Sequence, residues 1–102
     1  MINLEFQYFR GCPNHPIMEE NIAKAIEGLE DYVVLKHVIV ENDEIAKECG
    51  FRGSPTLLID GKDFENVPIP AIPVMACRFY IKGVPKAEDI RKKIVEKINE
   101  IK

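Results

Sequence analysis

At 102 residues, 46% hydrophobic and 30% charged, the chain has the composition of an ordinary globular protein with room for one real core and no separate regulatory module. Its 17 acidic and 14 basic residues leave a net charge of −3, which excludes the positive field that a nucleic-acid surface needs. No segment approaches transmembrane length and Met1 to Glu5 lack the basic, then apolar, start of a signal peptide, so no membrane partner and a cytoplasmic location are expected.

Ile2, Leu4, Phe6 and Tyr8 alternate with Asn3, Glu5 and Gln7, a period of two that predicts a strand with one apolar face. The alternation stops in Phe9-Arg10-Gly11-Cys12-Pro13-Asn14-His15. Met18, Ile22, Ala25, Ile26 and Leu29 then recur at helical spacing, with Glu20 and Lys24 paired on the other side. The pattern predicts a helix from about Pro13 to Gly28, with Pro13 and Pro16 tolerated because first-turn N–H groups have no intrahelical acceptor. Tyr32 to Val40, apolar and β-branched apart from Lys36 and His37, predicts a strand covered on both faces. Asn42 and Asp43 offer a cap for a short helix over Glu44 to Cys49, and Gly50 a left-handed stop.

Beyond Phe51-Arg52-Gly53, Ser54-Pro55-Thr56 leads into the apolar run Leu57-Leu58-Ile59, and Asp60-Gly61 predicts a hairpin with an antiparallel return. The return is either Lys62 to Val67 across a tight turn or Ala76 to Lys82 after an inserted loop, since Pro68, Pro70 and Pro73 exclude a paired strand between them. Gly83-Val84-Pro85 closes this part. Ile90, Ile94, Ile98 and Ile101, with Val95, mark the apolar stripe of a last helix. Its basic residues, Arg91, Lys92, Lys93, Lys97 and Lys102, interleave with Glu88, Asp89, Glu96 and Glu100 as a solvated face. The order βαβαββα describes one α/β domain, 1–102, with helices covering a four-stranded mixed sheet. The polar Asn3, Glu5 and Gln7 suit a central strand only if the short second helix leaves that face partly open.

Three cysteines without short repeat spacing do not make a disulfide scaffold, which leaves chemistry, metal or burial for each thiol. Cys12 falls where a helix start would stabilise a thiolate, so it is the candidate nucleophile; a buried small hydrophobe is the plainer alternative. His15, one turn on, would favour the thiolate when protonated or accept the thiol proton when neutral, unless it is simply solvated. Cys49, in the last turn of a short helix, is expected to pack. Cys77 approaches Cys12 if Lys62 to Val67 is the return strand, and starts at the far end if Ala76 to Lys82 is. His37 is expected to be a packed or edge histidine. The apolar loop Pro68 to Met75 either covers the core or forms a docking surface for a partner or for a second copy, giving a homodimer.

The element order, a cysteine opening the first helix and Ser54-Pro55-Thr56 before the third strand resemble the thioredoxin-like superfamily over essentially the whole chain, most closely from Ile45 to Gly61. Gly11-Cys12-Pro13-Asn14 and Cys77-Arg78-Phe79-Tyr80 are similar to a branch of small single-domain members, some described beside mercury or arsenic handling. The resemblance implies that Cys12 is the attacking cysteine, supported by Pro13, and that Ser54-Pro55 is a cis-proline turn opposite it. The backbone groups before that proline would then pair with an extended substrate. His15 stands where dithiol members carry a second cysteine, so no disulfide forms within Cys12 to His15. Resolution falls to Cys77, glutathione or another small thiol, or a second protein. The expected function is that of a thiol–disulfide oxidoreductase or thiol-transfer protein acting on protein or low-molecular-weight thiols and disulfides, with no cofactor and no resident metal. Two alternatives are a soft-metal or metalloid module built on Cys12, Cys77 and His15, and a non-catalytic interaction domain.

Overall fold

The alternation of the first segment becomes β1 (Ile2–Tyr8), whose even-numbered residues are all buried. They meet Met18, Ile22 and Ala25 of α1 (His15–Ala25) and Ile90, Ile94 and Ile98 of α3 (Ala87–Ile101), forming the main core. The computed structural model describes residues 1–101; the Ile101 side chain and Lys102, ends of the expected apolar stripe and basic face, lie outside the described residues.

A parallel partner strand needs a crossover, and α1 supplies it: β2 (Val33–Ile39) pairs parallel with β1 in the register Ile2 to Val33 through Tyr8 to Ile39. The short helix α2 (Asp43–Cys49) is bounded as expected, with Asn42 Oδ1 accepting from Ile45 N at 2.9 Å and Gly50 left-handed at φ 63°. Then β3 (Thr56–Ile59) runs antiparallel to β1, and β4 (Lys62–Asp63) antiparallel to β3. The sheet order is β2-β1-β3-β4, a four-stranded mixed sheet with three helices, which is the expected α/β class.

Three expectations are corrected. First, α1 spans His15 to Ala25 rather than Pro13 to Gly28, so Pro13 precedes it. Second, β2 is an edge strand rather than one covered on both faces, with Val34 46% exposed and Lys36 and His37 in solvent. Its β-branched run reflects preference for a pleated surface and not position in the sheet, and a lysine on an open edge discourages further pairing. Third, the return strand lies across the Asp60-Gly61 turn, as one alternative had it, but stops at Asp63. Both turn residues have positive φ, as a two-residue hairpin turn requires.

The polar residues of β1 also find an account. Gln7 is fully buried where α2 crosses, and its Nε2 donates to Glu5 Oε2 (2.5 Å) and to Cys49 O (3.3 Å), while Asn3 at the other end is exposed. The short helix thus covers one end of this face only.

Because Ile94 is fully buried between α1 and the sheet, Ile94→Ala is expected to cost about 3 kcal/mol. Val34→Ala on the open edge should stay within about 0.5 kcal/mol. Urea unfolding midpoints at constant m check both values.

Candidate functional site

The N–H of Cys12 closes a turn onto Phe9 O (3.1 Å) and Pro13 has no N–H, so helical bonding starts with Met18 N donating to Asn14 O at 3.2 Å. Cys12 therefore sits two residues ahead of the Asn14 cap and does not open the helix, contrary to expectation. The residue is 3% exposed, and Sγ donates to Ser54 O at 3.5 Å. A carbonyl oxygen is thus the hydrogen-bond partner of the thiol.

Ser54, buried one residue ahead of a cis Ser54–Pro55 peptide, is the junction of the site. Its Oγ accepts from Phe9 N at 3.3 Å, tying the Cys12 turn to the start of β3. Its backbone bonds another part of the chain altogether: Ser54 N donates to Ala76 O, and Arg78 N to Ser54 O, both at 2.9 Å. These two bonds make a parallel bridge between Ser54 and Cys77. The Ser54 carbonyl consequently accepts from Arg78 N and from Cys12 Sγ together. We term Ala76 to Arg78 the strap. Side chains alternate along an extended segment, so Arg78 turns inward and Cys77 outward, buried and exposed respectively. Cys77 lies one strand spacing, about 4.8 Å, from Ser54. Cys12, Cys49 and Cys77 are all free thiols.

The strap is fixed by polar residues that pattern reading passed over. Arg78 forks onto Asp63, with Nη1 to Oδ1 at 2.5 Å and Nη2 to Oδ2 at 2.8 Å, and donates from Nη1 to Thr56 Oγ1 at 3.2 Å. Its guanidinium lies 4.6 Å from the centre of the Tyr80 ring, whose hydroxyl donates to Pro55 O at 2.5 Å. Asp63 Oδ2 accepts further bonds from Glu65 N (2.9 Å) and Val67 N (3.1 Å). Burial alone would raise the Asp63 carboxyl, but the Arg78 fork overrides it and holds the carboxyl below its ordinary value. Burial likewise opposes the Arg78 charge, and the Asp63 partner outweighs it, raising Arg78. Burial is the main cause pushing the Tyr80 phenol up, with Arg78 opposing it. The one legible signal was an arginine set among the apolar residues of Met75 to Ile81. Gly53 completes the fit, since at φ 106° a Cβ there would stand 2.8 Å from Arg78 Cβ.

His15 is held elsewhere than at Cys12. Its ring stacks on Tyr8 at 4.6 Å and 16°, its buried Nδ1 has no hydrogen-bond partner among the described residues, and His37 meets the same tyrosine edge-on at 6.0 Å. Cys49 donates to Ala46 O at 3.8 Å, and burial first, then Glu5, pushes its thiol up. That suits a packed residue. The Pro68 to Met75 loop is anchored by Arg52 Nε on Val67 O (2.7 Å) and by Met75 N on Asp43 Oδ1 (3.0 Å), while Ile69 and Ile72 remain exposed. Among the described residues no group of three or more His, Cys, Asp or Glu could hold a metal ion, and no helix is long and apolar enough to cross a membrane.

The chain matches no protein-family model and no curated protein. Its structure is similar to the crystal structure of chloroplastic thioredoxin z, with a TM-score of 0.61 and 17% identity over 94% of this chain and 77% of that one. The fold is therefore thioredoxin-like.

With a depressed folded value, Asp63 contributes stability that is full above its ordinary value of 3.8 and lost as pH falls through the folded one. Arg78→Ala, which strands a buried carboxylate, is expected to cost about 3–5 kcal/mol at neutral pH. That cost should shrink as pH falls and the stranded carboxyl takes up a proton before the wild-type one does, a trend read from urea unfolding at stepped pH.

Proposed function

We propose that this protein is a thiol–disulfide oxidoreductase whose nucleophile is Cys12, in the Gly11-Cys12-Pro13-Asn14 turn. The supporting observation is the Cys12 thiol against the Ser54 carbonyl at a cis Ser54–Pro55 bond, in a thioredoxin-like fold. A second cysteine, Cys77, is paired to that same serine.

In this reading the Cys12 thiol loses its proton and the thiolate attacks one sulfur of a substrate disulfide. A Cys12–substrate disulfide forms, the substrate S–S bond breaks, and the departing sulfur leaves as a thiolate that takes up a proton. The Cys77 thiolate then attacks Cys12 Sγ, releases the second half of the substrate as a thiol and leaves a Cys12–Cys77 disulfide, or an external thiol attacks the substrate sulfur, frees Cys12 and leaves as a disulfide with that half. In the first route two electrons pass from protein thiols to the substrate and an external thiol reductant restores them; in the second Cys12 ends as a thiol and the external thiol is oxidised in its place. Because Cys12 is buried, reaction follows local opening of its turn. His15 and Pro13 act as positioning residues, the first fixed by its stack on Tyr8. Residues 1–102 work as one domain, and three free thiols suit a reducing compartment such as the cytoplasm.

Reduction of glutathione disulfide tests this directly. Cys12→Ser should fall to the uncatalysed background, while Cys77→Ser should accumulate a glutathione adduct on Cys12 visible by intact mass. A Cys12→Ser protein as active as the wild type would sink the proposal.

A further inference from the structure

An extended polypeptide held beside Cys12 by strand addition needs free backbone donors and acceptors at the sheet end, and the groups that Ser54 offers there are taken. Its N–H and C=O are both bonded to the strap, at 2.9 Å each. The strap in turn is fixed by the buried fork of Arg78 on Asp63 and by Tyr80 on the Pro55 carbonyl, so the occupied position is built in and not incidental. Gly53 lets the strap approach as closely as it does. Beside this junction a hollow of about 520 Å³, within the range of small-molecule sites, is lined by Phe9, Arg10, Gly11, Val40, Glu41 and Met75. It borders the residue preceding Cys12 and the residue preceding the strap.

We infer that the chain's own strap fills the place an extended substrate would take, and that the substrate of Cys12 is a low-molecular-weight disulfide admitted through this hollow; this rests on the oxidoreductase reading. The strap selects by pre-empting backbone pairing, because a small disulfide requires none. The chemistry is unchanged: one small disulfide accepts two electrons and leaves as two thiols, with Cys12 carrying one half as a mixed disulfide between the steps.

The experiment compares the wild type on glutathione disulfide and on insulin, a polypeptide disulfide, under one reductant. The small substrate should react at least about 10-fold faster per disulfide. Two variants loosen the strap to different degrees: Arg78→Ala removes the fork, and Tyr80→Phe removes a single hydroxyl and retains the ring. Each should narrow that ratio by speeding insulin reduction. Amide hydrogen exchange at Ser54 and Arg78 reports whether the strap has loosened even where activity does not change. Wild-type protein that reduces insulin as fast as glutathione disulfide while those amides stay protected overturns the inference and leaves the oxidoreductase reading intact. So does a loosened strap, seen as faster exchange, with no gain on insulin. Silence toward both disulfides overturns the oxidoreductase reading, and this inference with it.

Discussion

A buried ion pair organises the end of the molecule where the Cys12 turn and the strap both meet Ser54. Asp63 closes the two-residue strand β4, and Arg78 reaches it from beyond a loop carrying Pro68, Pro70 and Pro73. Burying two charges is costly unless nearly every lone pair and proton finds a partner. Here the carboxylate accepts from both guanidinium nitrogens and two backbone amides, and the guanidinium adds Thr56 Oγ1 and the Tyr80 ring. A proline-rich loop has few amides for a ladder, so the pair does for residues 64–78 what strand pairing does elsewhere. It sets the strap against Ser54.

The larger core meets this arrangement at Tyr80, which packs in it and donates to the Pro55 carbonyl. Ile2, Leu4 and Phe6 pack with α1 and α3 on one face of the sheet, while the Cys12 turn, the cis peptide and the strap gather at the start of β3. Ser54 ties the Cys12 turn to the start of β3 through its side chain on Phe9 N and its carbonyl under Cys12 Sγ.

Much of the fold was legible because it is written in short-range periodicity: the alternation of Ile2 to Tyr8, the stripe of Ile90, Ile94 and Ile98, and the Asn42 and Gly50 caps. Position within the sheet is not a local property, and so Tyr32 to Val40 read as a strand covered on both faces, whereas β2 is an edge with Val34 and Lys36 exposed. The helix start moved from Pro13 to His15 because Cys12 N–H closes a local turn onto Phe9 O, and the apolar spacing that predicts the helix does not register such a turn. At the site, Cys12, Ser54, Pro55 and Cys77 were all singled out and are brought together, while His15 turns to Tyr8 instead. The Arg78 and Asp63 pair escaped notice because its members stand 15 residues apart across a loop with no repeating pattern.

Position 53 shows how such a junction constrains mutation. Backbone handedness forbids a β-carbon there on its own account, and the closeness of Arg78 forbids it again by contact. Relief of either restriction leaves the other standing, so a side chain is admitted only if the backbone turn and the docked segment are remodelled together. Drift at this residue is accordingly closed to single steps, although nothing at it bears a functional group.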